Sequence, residues 1–215
     1  MEPLPLFPVP PEPLSHAALE GPAPAAWDPA ELAGRLVEIS FQPSRARSST
    51  SGASLTATAL LLWKAQQAGE PSAWVSALAS SFYPPDLDAA GIDLAALIVV
   101  RAGSGSAAAR AADKLLRSGA FGFVVLDLGG EPAPPAPLLG RLLALARTHH
   151  ATVVVLTVKP DDAPSLAPLV SLRVRASQRR LAPGRFACTV EALKDKRRGP
   201  GWSFEETFRG PPGLR

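Results

Sequence analysis

The residues with the clearest chemical meaning are those from 47 to 54. A loop that cradles nucleotide phosphates reads G-x-x-x-x-G-K-[S/T] between a strand and a helix. Here Gly52 and Ser54 hold the second glycine and the hydroxyl position, while the lysine position is Ala53 and the first glycine position is Arg47. Lysine reaches the β- and γ-phosphates, and the first glycine lets the backbone wrap them. With both gone, no nucleotide cofactor is expected. Arg45 and Arg47 read in two ways: as guanidinium groups replacing the lysine in an anion site, or as part of a solvated insertion, the preferred reading.

A second constellation lies near the C-terminal end. Lys194, Lys196, Arg197 and Arg198 precede Trp202 and Phe204, so charge interleaves with aromatics. Cations that neutralise phosphates and rings that stack on bases would suit single-stranded DNA. Trp and Arg are also the usual anchors of protein interfaces. A protein partner is the favoured reading and DNA the further candidate. The bland alternative tucks Trp202 onto a sheet edge and leaves the basic residues in solvent. Leu4, Leu6 and Phe7 show the Leu-x-Leu-Phe spacing of peptides that dock into the apolar pocket of a bacterial sliding clamp. They are a candidate contact for a clamp, or for docking of the arm on a neighbouring subunit.

Other residues carry less. His149 and His150 end a predicted helix, with no acidic or thiol ligand at metal spacing, so no metal site is expected. Gly103-Ser104-Gly105-Ser106 reads as a helix entry rather than a nucleophile elbow. One cysteine, Cys188, excludes an internal disulfide and a cysteine zinc cluster, which favours a reducing compartment. No apolar run is long enough to span a bilayer, and the proline-broken start lacks a signal-peptide pattern. A cytoplasmic protein without membrane contact is expected. The net charge is only +3, but 11 Lys/Arg face four acids from residue 171 onward, so the basic character is concentrated there.

The elements that must position these residues alternate. Residues 1–27 form a Pro/Ala-rich arm without periodicity, expected to be disordered. Asp28 and Pro29 supply a cap and first helical residue for a short helix ending at Gly34. Short apolar strands are predicted at 36–39, 73–77, 97–100, 123–127 and 152–158. Helices are predicted at 52–68, 86–90, 104–118 and 138–149. This alternation means βαβ units and a parallel sheet covered on both faces. Beyond 168 the pattern changes to apolar-polar alternation over 169–175 and 185–193, around a turn at Ala182-Pro183-Gly184. That predicts an antiparallel hairpin, with a last strand near 203–208.

Taken in order, Gly34-Arg-Leu-Val-Glu-Ile39, Ala65-Gln-Gln-Ala-Gly69, Ala90-Gly-Ile-Asp-Leu94, Leu115-Leu-Arg-Ser-Gly-Ala120, Val124-Val-Leu-Asp127 and Ser171-Leu-Arg-Val-Arg175 resemble the core of the RecA recombinase. The resemblance covers about residues 28–210, with 211–215 as a tail. It implies a RecA-like α/β core with a central, mostly parallel sheet flanked by helices, plus C-terminal antiparallel strands. It also makes Asp127 a vestigial Walker B aspartate. The family's catalytic glutamate follows its second strand, yet Val75 to Phe82 contains no carboxylate. Loss of that group removes hydrolysis independently of the loop. The family's polar pair at the end of the fifth strand is matched by Thr157-Val158. The connections at 128–137 and 159–168, where the family carries its DNA-binding loops, are short and proline-rich.

Among degenerate relatives the chain most resembles the ImuA type, which acts with the polymerase-like protein ImuB in damage-induced mutagenesis. The resemblance implies a non-catalytic accessory factor of the SOS response that binds RecA, an ImuB-like partner, or both. The alternatives are a cell-division inhibitor of the SulA type and an atypical ATP-binding recombinase.

Overall fold

The computed structural model describes residues 27–41, 49–78 and 82–209. Arg45, Arg47, Leu4, Leu6 and Phe7 lie outside the described residues, as do most of the arm and the tail. The elements are α1 (Pro29–Leu32), β1 (Arg35–Phe41), α2 (Ser49–Gln67), β2 (Ser72–Ser76), α3 (Pro84–Ala89), β3 (Leu97–Arg101) and α4 (Gly105–Arg117). They continue with β4 (Phe123–Asp127), α5 (Ala136–Thr148), β5 (Thr152–Val158), β6 (Leu172–Ala182), β7 (Arg185–Asp195) and β8 (Ser203–Arg209). One eight-stranded sheet runs β3-β2-β4-β5-β1-β6-β7-β8. The first six strands in that order pair in parallel, and β6, β7 and β8 pair antiparallel. The α/β class with a C-terminal antiparallel extension is the one the sequence pattern implies.

Local chemistry explains the elements. β5 is Thr-Val-Val-Val-Leu-Thr-Val, nearly all β-branched, and six of its seven residues are buried. Such side chains lose little on a pleated surface packed from both sides. Asp28 caps α1 by accepting from the Ala30 amide at 3.0 Å, and Ser104 caps α4 by accepting from the Ala107 amide at 3.2 Å. α4 lays Ala108, Ala109 and Ala112 on the sheet, and their small size lets the helix axis come close. Asp113 on the same helix is buried and accepts from Arg117 and from Arg141 of α5, each at 2.8 Å, which ties the two helices together. Gly69, at φ 75°, ends α2 in the left-handed conformation that a side chain would resist.

The core has two layers. On one face, α1, α2 and α3 cover Val37, Ile39, Trp74, Val125, Val154 and Val174. On the other, α4 and α5 cover Leu36, Val75, Val124, Leu126, Val153 and Val155. Alternate residues of each strand go to opposite layers, as the two-residue period requires.

Several element boundaries differ from the sequence pattern, three of them near the candidate residues. Trp27, the last residue of the expected arm, is wholly buried; its indole N–H donates to the Ala57 carbonyl at 2.9 Å. A large apolar ring with one donor gains by docking wherever a carbonyl is within reach. α2 starts at Ser49 rather than Gly52, so Gly52 stands within the helix despite glycine's poor helix propensity. The hairpin strands β6 and β7 are 11 residues each, and β6 begins at Leu172 rather than 169. Residues 169–171 belong to the β5–β6 connection, where the Val170 amide turns back to the Ala167 carbonyl.

Candidate functional site

Gly52, Ala53 and Ser54, read from the sequence as a degenerate phosphate loop, lie within α2. Gly52 is half-buried, while Ala53 and Ser54 are fully buried. The Ala53 methyl packs in the same apolar layer as Cys188, Val190 and Leu60. The Cys188 thiol lies 3.6 Å from the Ala53 carbonyl oxygen, a weak donor on an already paired acceptor. A Cβ on Gly52 would come 3.4 Å from Oε1 of Gln178, whose Nε2 donates to Thr56 Oγ1 at 3.0 Å. Gln178 of β6 and Cys188 of β7 thus cover α2 at Gly52, Ala53 and Thr56. The Ser54 hydroxyl is buried with no hydrogen-bond partner among the described residues. Asp127 ends β4 and accepts from the Gly129 amide at 3.1 Å, and the Ala77 amide donates to its carbonyl at 2.9 Å. Its carboxylate closes an Asx turn at the strand end.

Charge gathers on the other face of the sheet, at a place the sequence pattern does not single out. Glu38 is fully buried in the middle of β1. Thr157 Oγ1 donates to its Oε1 at 2.9 Å, the Leu166 amide donates to Oε2 at 2.8 Å, and Lys159 forms an ion pair with Oε1. Arg173, level with Glu38 on β6, is also buried. It donates to Ser40 Oγ at 3.1 Å, to the Pro160 carbonyl at 2.8 Å and to the Ala163 carbonyl. Arg175 pairs with Asp161 at 3.0 Å and with Glu191 at 2.6 Å. Lys194 reaches Ser165 Oγ at 3.3 Å. Four cations and one buried carboxylate therefore fasten the β5–β6 connection onto the sheet. A buried carboxylate is tolerable only when its oxygens are filled in this way.

The basic block is also engaged within the chain. Burial, and then the charge of Lys196, hold the Lys194 ammonium below its ordinary pKa. The Arg197 guanidinium donates to the carbonyls of Glu31 and Ala33 at 3.2 and 3.4 Å, and Arg198 pairs with the Glu31 carboxylate at 2.9 Å. Trp202 packs against the core, and its Nε1 donates to Asp195 Oδ2 at 3.0 Å. Asp195 also accepts from Arg35. Burial alone would raise its pKa, but the Arg197 amide, Arg35 and Trp202 together bring it below the ordinary value. Lys196 is exposed, and its side chain makes no hydrogen bond or ion pair among the described residues.

The structure thus separates the candidates. Gly52, Ala53 and Ser54 lie with α2 on one layer, Asp127 lies at the end of β4, and Lys194 to Trp202 lie at the α1 end of β7 and the turn after it. Glu38, Arg35 and Arg173 are absent from the sequence candidates. Their only signal is a charged residue at an inward position of an apolar strand. Among the described residues, no three His, Cys, Asp or Glu side chains gather as metal ligands, and no helix is long and apolar enough to cross a membrane.

No protein-family model matches the chain, and a search of the curated proteins returns no match.

Proposed function

We propose that this chain is a non-catalytic RecA-like accessory factor in damage-induced mutagenesis. On this reading it binds RecA, an ImuB-like polymerase homologue, or both, and inhibits RecA. The observation that carries the reading is Ala53: at the position of the phosphate-binding lysine stands a methyl group buried in the core. A subunit shaped for a filament but unable to turn over nucleotide caps or perturbs that filament. Two features support it further. The connection after β5, where the RecA family carries a DNA-binding loop, is fastened to its own sheet by Glu38, Arg173, Arg175 and Lys194. The segment following β2 has no carboxylate to activate water.

Among the basic candidates, Lys196 is the side chain best placed for a partner, since Lys194, Arg197 and Arg198 have internal roles. The test is RecA-driven strand exchange with substoichiometric amounts of this chain. Inhibition that weakens on Lys196→Glu, together with capture of RecA, is expected. No effect on strand exchange and no capture of either RecA or an ImuB-like protein overturns the proposal. Capture of the division GTPase FtsZ instead would favour the SulA-type role. Stabilisation by ATP and Mg²⁺ would favour the ATP-binding one, at about 2.7 kcal/mol for a hundredfold excess over Kd.

A further inference from the structure

The antiparallel ribbon of β6, β7 and β8 has one face on α2 and one face to solvent. Pairing registers assign the faces. Cys188, Val190 and Ala192 point to the α2 layer, so Arg185, Ala187, Thr189 and Glu191 point to the other. Arg209 stands directly opposite Arg185 on this second face, and Arg179 stands opposite the adjacent Ala187. Residues directly opposite in an antiparallel pair hold their Cβ atoms about 5 Å apart, and like charges so placed destabilise the sheet. Arg185 and Arg209 are both exposed, and neither guanidinium has a hydrogen-bonding or ionic partner among the described residues. The nearest acid, Glu205, is already occupied by Thr189 Oγ1 at 2.8 Å and by Arg179 at 3.6 Å. Further along this face, Glu191 is taken by Arg175.

We propose that this face binds the phosphodiester backbone of nucleic acid, with Arg185 and Arg209 as the pair that neutralises phosphates. A polyanion converts their mutual repulsion into a shared attraction. Guanidinium donors match phosphate oxygens in geometry as well as charge. Thr207, two residues before Arg209 on the same face, supplies a hydroxyl beside them. The chemistry favours nucleic acid over an acidic protein. A protein interface needs a buried apolar or aromatic centre. At this end the one apolar residue of the face, Ala187, is itself buried, and the ribbon's one exposed large apolar side chain is Leu181 at the bulge beside the turn. Phosphate contacts need no such centre and carry no sequence preference. The surface is separate from the Lys194–Trp202 block and does not depend on the partner reading.

Fluorescence anisotropy with labelled 20-nucleotide single-stranded and duplex DNA tests the proposal over a salt series. The wild-type chain is expected to bind at least one of them, with affinity falling as salt rises. Arg185→Gln with Arg209→Gln should weaken binding about tenfold or more and lower the salt slope by about 2. Lys114→Gln with Arg147→Gln removes the same charge from the ends of α4 and α5 and should leave binding nearly intact. Arg209→Glu should abolish binding without lowering the melting midpoint, because it replaces a repulsive rung by an attractive one. The proposal is overturned by absence of wild-type binding, by equal losses in the two double variants, or by a 20-residue polyglutamate competing as well as DNA.

Discussion

Arg35 and Asp195, 160 positions apart, meet in the interior. Arg35 Nη2 donates to Asp195 Oδ1 at 2.5 Å, and both side chains are buried. Arg35 also donates to the hydroxyl and the carbonyl of Ser171, at 3.2 and 2.9 Å. This one guanidinium joins the first strand to the start of the ribbon and to the turn that carries the basic block.

Removing one partner of this pair leaves the other charge buried and unpaired. Asp195→Ala is expected to cost about 3–5 kcal/mol by denaturant unfolding. The carboxylate titrates below its ordinary value of 3.8 in the folded chain. Its stabilisation is therefore full above that value and lost as pH falls through the lower folded pKa. The melting midpoint of the wild type should drop more steeply below pH 4 than that of Asp195→Asn, and parallel curves would refute the linkage.

A lysine placed at position 53 should not confer nucleotide binding. Ala53→Lys forces an ammonium into a layer made of Cys188, Val190 and Leu60. Destabilisation of about 3 kcal/mol or more is expected from the unpaired charge and overpacking, with no thermal shift on adding ATP and Mg²⁺. A stable variant that gains such a shift would mean that the first turn of α2 can open.

Glu38 holds the β5–β6 connection from beneath. Glu38→Ala strips partners from Lys159, Thr157 and the Leu166 amide at once. A loss of about 3–5 kcal/mol is expected. Hydrogen exchange should accelerate at residues 159–170 before it does in β4. Uniform acceleration across the sheet would show that the connection is not a separate unit.

Cys188 is an inert thiol. Burial pushes its pKa to about 12, so at pH 8 the thiolate fraction is on the order of 10⁻⁴. An aromatic disulfide reagent should not react with the native chain over hours and should label one thiol promptly in urea. Fast labelling without denaturant would mean that the contact between β7 and α2 breathes.

Much of the fold is legible in the sequence because it rests on local signals. The Val-rich run at 152–158, the caps Asp28 and Ser104, and the stop at Gly69 each act within a few residues. Their alternation sets a parallel sheet with helices on both faces. The Gly52-Ala53-Ser54 pattern is legible for the same reason, since a loop motif is contiguous. Glu38, Arg173 and Arg35 are different. A charged residue in a strand carries no information about its partner, and their partners lie from 119 to 160 positions away for Glu38, Arg173 and Arg35 with Thr157, Ser40 and Asp195. Pairing across such distances depends on strand order and register, which sequence periodicity does not contain. The basic block shows the same limit: its composition is visible in the sequence, but which cations are engaged is decided by distant partners, Glu31 and Ala33 for Arg197, Glu31 for Arg198 and Ser165 for Lys194. The sequence alone determined the class of fold and the apolar side chain at position 53. Tertiary structure decided which charges are structural and which, like Arg185 and Arg209, face solvent unpaired.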